Sequence, residues 1–250
     1  MIRKALIIAN PGKRGASNYC EGVNRDIDNY RDYLQSPCGG LWYDHEIKVL
    51  FQPSVAEVYA QILSSAGVDY LLTVFSGHAE YNKARDCTML EIAPDVEVEH
   101  LSLAGGASRH TLILDCCRQV AEDQLLQTRM AKAISDSLKS QLSSSKCRRL
   151  FDFKVAACPR GEVVLYGCSV GESAEDLASR GGIYSYSLLD AAERWIEQNN
   201  SGSYITEKYL SIVDCHESAR AKVIRESAGQ QNPDIKKPRS IPYFPFSVIA

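Results

Sequence analysis

The feature that most limits what this chain can fold into is a series of short apolar runs, each closed by turn-forming or chemically reactive residues. Lys4–Ala9, Glu46–Phe51, Asp69–Phe75 and Thr111–Leu114 are rich in Ile, Leu, Val or aromatic side chains, and a fifth run, Val163–Tyr166, follows Pro159-Arg160-Gly161. Runs this short suit strands buried on both faces. Between them lie helical patterns. Val23, Ile27, Tyr30 and Leu34 share one face of Gly22–Leu34. Ser54–Ser64 opens on Ser54 with Glu57 three residues on, a capping-box spacing, and gathers Val55, Val58, Tyr59 and Ile62 on one side. Ile183–Ile196 and Ile205–Arg225 are also amphipathic. Strands alternating with helices require crossovers, so the expected fold is α/β, a three-layer sandwich with a mainly parallel central sheet and helices on both faces. In such sheets reactive groups collect beyond the carboxyl ends of the strands.

Bulk properties narrow the function. At 250 residues, 45% hydrophobic and 24% charged, the chain has the make-up of one soluble domain. A net charge of -3 gives no reason to expect nucleic acid as a partner. No stretch approaches the roughly 20 apolar residues of a membrane span. The run Ala5–Ala9 after Arg3-Lys4 stops at Asn10-Pro11-Gly12, too short for a signal peptide and suited to a first strand. Nine cysteines with no C-x-x-C pair argue against a disulfide framework and against a zinc site. The expectation is a cytoplasmic protein with free, mostly buried thiols and neither metal nor cofactor.

One segment interrupts the alternation. Gln124–Leu142 reads as helical, and Ser143-Ser144-Ser145-Lys146-Cys147-Arg148-Arg149 reads as an exposed, mobile loop, either plain surface or a processing site. The chemistry gathers elsewhere. The third run closes in Ser76-Gly77-His78 and the fourth in Asp115-Cys116-Cys117-Arg118. Neighbouring parallel strands would bring His78 and Cys117 to one edge. A thiol is a poor nucleophile until an imidazole takes its proton, and the same imidazole can protonate the leaving amine.

Those motifs resemble the caspase and metacaspase superfamily of cysteine peptidases, in particular its prokaryotic members. Ser-Gly-His and Asp-x-Cys stand in order. Glu21–Asp26 is similar to the opening of the family's first helix, Gly181–Leu189 to the helix after its specificity strand, and Gln231-Asn232-Pro233 to a motif near the end of many prokaryotic members. The resemblance implies a single caspase-like domain over 1–250, with a large-subunit-like part at about 1–121, a linker at 122–161 and a small-subunit-like part at 162–250. It implies Cys117 as nucleophile, His78 as base, and the backbone N–H groups of Cys117 and Ala79 as oxyanion donors. Cys116 would face the packing. Ala79 stands where the family has Gly.

By the same resemblance Asp115 accepts the Arg or Lys of a protein substrate. Glu172, in the loop Gly167–Ser173, is a second candidate charge or a plain loop acid. Lys146, Arg148 and Arg149 are candidate autocleavage positions, and an activator protein or regulatory partner is implied. Prokaryotic members are often linked to regulated cell death or antiviral defence, which reaches this chain by analogy alone. A catalytically silent scaffold, favoured only by Ala79, and a small-amide hydrolase remain open. His45, His100, His110, His216 and Trp42 read as surface or packing residues. The apolar tail Ile241–Phe246 reads as an edge strand, a dimer contact or a dock for another domain.

Overall fold

The computed structural model describes residues 1–119, 142–200 and 206–250. The chain runs β1 (Arg3–Asn10), α1 (Gly22–Gln35), β2 (Ile47–Phe51), α2 (Val55–Leu63) and β3 (Tyr70–Gly77). A small antiparallel sheet follows, made of β4 (Ala79–Asn82), β5 (Cys87–Ala93) and β6 (Val96–Glu99). Then come β7 (Arg109–Asp115), α3 (Ser144–Ala157), β8 (Gly161–Tyr166), the short pair β9 (Asp176–Leu177) and β10 (Gly181–Gly182), and α4 (Ile183–Asn199). The described part ends with β11 (Lys208–Ser211), α5 (Ile212–Glu226), β12 (Asp234–Lys236) and β13 (Pro245–Ile249).

Six strands form the central sheet in the order β12-β8-β7-β3-β1-β2, parallel throughout except for the antiparallel edge strand β12. Side chains alternate between its faces, as the strand period demands. Ala5, Ile7, Leu72, Val74, Ile113, Val163 and Leu165 enter one core with α1, α3, α4 and α5. Leu6, Ile8, Leu71, Phe75, Leu112, Leu114 and Val164 enter the other, beneath α2 and the β4–β6 sheet. The sandwich is therefore three-layered, with helices on both faces. No described helix is long and apolar enough to cross a membrane.

All five expected strands are present. α2 starts on the anticipated capping box: Ser54 N donates to Glu57 Oε2 at 2.8 Å and Glu57 N to Ser54 Oγ at 3.3 Å, an arrangement typically worth about 1 kcal/mol. Two readings need correction. Within Ile205–Arg225 the described residues form β11 and then α5, because Ser211 caps the helix by accepting from Asp214 N at 3.1 Å; Ile205 lies outside the described residues. The supposed loop Ser143–Arg149 is the start of α3, whose Cys147, Leu150, Phe151 and Val155 are buried at helical spacing. Arg148 makes two bonds to Glu46, at 2.7 and 2.9 Å. The expected helix Gln124–Leu142 lies outside the described residues except for Leu142, which is buried. Of the apolar tail Ile241–Phe246 only Pro245 and Phe246 enter a strand, β13, which pairs antiparallel with β11 and is buried along its length, while Ile241 is exposed. Trp42 is buried with the Arg3 guanidinium 4.4 Å over its ring, a packing role.

Candidate active site

β3 and β7 are hydrogen-bonded in parallel, with Ser76 opposite Asp115. His78 and Cys117 each follow two residues later, so both emerge at the carboxyl edge of the sheet, where open α/β sheets place their sites. Gly77 permits the approach: an added Cβ would stand 2.5 Å from the Asn10 carbonyl of β1. Cys116 is 2% exposed and packs in the core beneath α2 and the small sheet. None of the nine cysteines forms a disulfide and seven are buried; the two partly exposed ones, Cys20 and Cys117, are both at this edge.

The side chains do not form a direct thiol–imidazole hydrogen bond. Cys117 Sγ accepts from Ala174 N at 3.3 Å and lies 3.6 Å from Ala174 O. His78 Nε2 lies 3.7 Å from Cys20 Sγ. Burial pushes the Cys117 thiol above its usual range, with the Ala174 N–H opposing. It therefore rests as a thiol and needs a base.

Three carboxylates lie beside this pair. Asp26 is 1% exposed, takes a bond from Ser76 Oγ at 2.5 Å and accepts from Gly182 N at 3.2 Å. Asp115 is 5% exposed and accepts from Ser185 N at 2.7 Å. Asp176 accepts from Gly22 N at 3.0 Å, while its Oδ1 is buried without a partner. The donors Gly182 and Ser185 belong to the N-terminus of α4 and Gly22 to that of α1, so two helix dipoles point their positive ends at the acids. Glycine makes the room. An added Cβ would stand 1.9 Å from Asp26 Oδ1 at Gly181, 2.2 Å from Asp115 Oδ2 at Gly182 and 2.1 Å from Asp176 Oδ1 at Gly22.

Burial dominates the titration of all three. It pushes Asp115 from an ordinary 3.8 to about 6, with the Asp176 charge adding to it and Ser185 opposing. It pushes Asp26 well above the carboxylate range, with the charge of Asp115 adding. Asp176 also rises through burial, while His78 draws it down. Among the described residues no Lys or Arg forms an ion pair with any of the three.

The loop after β8 closes one side. Arg118 N donates to Glu172 O at 2.9 Å and Gly171 N to Arg118 O at 2.8 Å, joining this loop to the turn that carries Cys117. Glu172 uses its carboxylate internally, accepting from Ser169 N, Asn232 N and Asn232 Nδ2 at 3.1, 2.7 and 2.8 Å. Gln231 Nε2 donates to Gly167 O at 2.7 Å and its Oε1 accepts from Glu175 N at 3.0 Å. The Gln231-Asn232 motif thus latches this loop, and Glu172 holds the latch. Ala79, in β4, is not among the residues with positive φ, so Ala needs no glycine-like backbone there.

Sequence reading missed Asp26, Asp176 and Cys20. Asp26 had a signal, since it lies three residues after Val23 on the apolar stripe of α1, where a carboxylate requires a reason. Asp176 and Cys20 lie in loop and short-strand sequence with no periodicity to mark them. Among the described residues no group of three or more His, Cys, Asp or Glu is arranged to hold a metal ion.

Comparison with known proteins bears on the family and the fold. Residues 2–242 match the family model described as the caspase domain. Among solved structures, caspase-1 from Spodoptera frugiperda superposes with a TM-score of 0.57 at 15% identity, covering 94% of this chain and 86% of that one. At that identity the likeness speaks for the fold. No curated protein sequence resembles this one to a significant degree.

Proposed function

The chain belongs to the caspase-domain family of cysteine-type endopeptidases, and from that premise we propose that it cleaves protein substrates after Arg or Lys, with Cys117 as nucleophile and His78 as general base. The observation that carries the specificity is the cluster of Asp26 and Asp115, both buried, and the partly buried Asp176 beside Cys117, none of which forms an ion pair with Lys or Arg among the described residues. Buried carboxylates without a partner charge are costly. A guanidinium or ammonium from the residue before the scissile bond supplies the missing charge, and Arg can meet a carboxylate through two parallel bonds. Asp115, at the end of β7, is the principal acceptor. Glu172 serves the pocket by holding its loop rather than by its charge.

His78 takes the Cys117 proton as the sulfur attacks the substrate carbonyl, and returns it to the amine as the peptide bond breaks. Water, deprotonated by the same imidazole, then hydrolyses the thioester and restores the thiol. The oxyanion donors are the N–H groups of Cys117 and Ala79. The β4–β5 ladder supports the second. Glu91 N bonds to His78 O, and Tyr81 N bonds outward to Gln119 O. Backbone N–H groups alternate along a strand, so that of Ala79 points the same way as that of Tyr81, towards the Cys117–Gln119 turn. Removing one such donor typically costs roughly 10²–10³ in turnover.

The test is cleavage of otherwise identical fluorogenic peptides ending in Arg, Lys or Asp. The expectation is turnover of the first two only, abolished in Cys117→Ala and His78→Ala; equal turnover of all three, or activity in Cys117→Ala, refutes it. Self-processing after Lys146, Arg148 or Arg149 belongs to the same proposal. These residues lie in the first turns of α3, so a cut there needs that end of the helix to open. Wild type should separate into two fragment masses while Cys117→Ala keeps its full-length mass, and a full-length wild-type chain in an active preparation rules self-processing out.

A further inference from the structure

We propose that Cys20 is a positioning residue for this peptidase: its sulfur accepts the Nε2 proton of His78, fixing the imidazole in the tautomer whose Nδ1 is free to deprotonate Cys117. The inference rests on the assignment of Cys117 and His78 made above.

Cys20 closes the loop between β1 and α1, and that loop is tied down. Cys20 N donates to Pro11 O at 2.8 Å, Gly12 N donates to Asn10 Oδ1 at 3.0 Å, and Gln52 Nε2 bonds to Asn10 Oδ1 at 3.0 Å and to Gly12 O at 2.8 Å. The backbone comes close to the imidazole: a Cβ added at Gly12 would stand 3.0 Å from His78 Nε2. Among the described residues this leaves Cys20 Sγ, at 3.7 Å, as the polar contact of Nε2.

The direction of the bond follows from proton counting. Cys20 Sγ also lies 3.7 Å from Asn18 O. A carbonyl can only accept, and a thiol has one proton. Both contacts are satisfied only if S–H points to Asn18 O and the sulfur lone pair faces a protonated Nε2. A neutral imidazole carries one N–H, so Nδ1 is bare. During the reaction Nδ1 takes the Cys117 proton and returns it to the leaving amine, while the Nε2 proton stays on its nitrogen. Burial, with the negative charge of Asp176 adding, pushes the Cys20 thiol to about 12, so Cys20 keeps its proton at neutral pH and does not become a rival thiolate. In serine peptidases a carboxylate fixes the tautomer from the far side of the ring; here a neutral sulfur does so.

The experiment combines NMR of ¹³C,¹⁵N-histidine-labelled protein, with the His78 ring assigned through His78→Ala, and turnover of an Arg-ending peptide. Wild type should show the Nε2–H tautomer. Cys20→Ala should shift the ring towards a tautomer mixture and lower kcat about tenfold with KM unchanged. Cys20→Ser, which can donate and accept in the same way, should restore the tautomer and most of the rate. An Nδ1–H ring in wild type overturns the proposal, as does a Cys20→Ala protein with unaltered tautomer and kcat. Loss of activity in Cys20→Ala together with its retention in Cys117→Ala would make Cys20 the nucleophile and overturn the proposal along with the assignment beneath it. The NMR arm needs no turnover, so it decides the tautomer even if the assigned nucleophile is wrong.

Discussion

Replacing Asp115 by Asn separates what this residue does for substrate binding from what it costs the fold. Burial raises its carboxyl from 3.8 to about 6. A displacement of about two pH units corresponds to about 3 kcal/mol. The sign follows from proton binding. Between about pH 4 and pH 6 the folded protein holds this proton more tightly than the unfolded chain does. Wild-type stability from this group therefore falls as pH rises through that window and is flat above it. Asn has nearly the same shape, carries no charge, and can still accept the 2.7 Å bond from Ser185 N. At pH 7 the variant should be more stable by up to about 3 kcal/mol, which in a chain of this size is roughly 6–12 °C in Tm. Below about pH 4 the two proteins should melt together. The assay is circular-dichroism melting of both proteins from pH 3.5 to 8, beside kcat/KM on an Arg-ending peptide, which should fall at least ~100-fold with the loss of one charge-assisted contact. A variant no more stable than wild type at pH 7, or a Tm gap that does not change with pH, refutes the burial argument. Stabilisation with undiminished cleavage refutes the role in specificity.

Gly182→Ala should destabilise the protein by about 1–3 kcal/mol and raise KM for Arg peptides, because its Cβ would stand 2.2 Å from Asp115 Oδ2; Gly67→Ala, with open space around it, is the control for chemical denaturation and kinetics. Arg148→Ala removes the paired bonds that fasten α3 to Glu46 and should cost about 2 kcal/mol. It should also speed tryptic cutting after Lys146 and Arg149, read by peptide mass mapping. Gln231→Ala frees the carbonyl of Gly167 and the N–H of Glu175; it should lower kcat/KM on Arg peptides several-fold, and unchanged kinetics would remove the latch role of that side chain.

Much of this molecule is legible in its sequence because the central sheet is parallel and buried on both faces. Such strands appear as apolar runs, as β1, β3, β7 and β8 do; β2, an edge strand with only Leu50 buried, shows itself through Ile47, Val49, Leu50 and Phe51. Their carboxyl ends then locate His78 and Cys117 without further information. α3 was illegible for a local reason: Ser143-Ser144-Ser145 and three basic residues mask a buried stripe that only Cys147, Leu150, Phe151 and Val155 reveal. The acid cluster was illegible for a topological one. Asp26, Asp115 and Asp176 come from a helix face, a strand end and a hairpin, and only tertiary packing shows that they share one space. The three glycines that make room for them, Gly22, Gly181 and Gly182, appear in the sequence as ordinary turn and helix-start residues until the carboxylates opposite are seen.

The most direct measurement is the mass of the adduct formed by an irreversible peptidyl ketone ending in Arg, mapped to its residue in wild type and in His78→Ala. The account predicts one adduct, on Cys117, formed rapidly in wild type, greatly slowed without the imidazole, and absent with the Asp-ending reagent. An adduct on Cys20, or labelling of Cys117 at the same rate with and without His78, contradicts it.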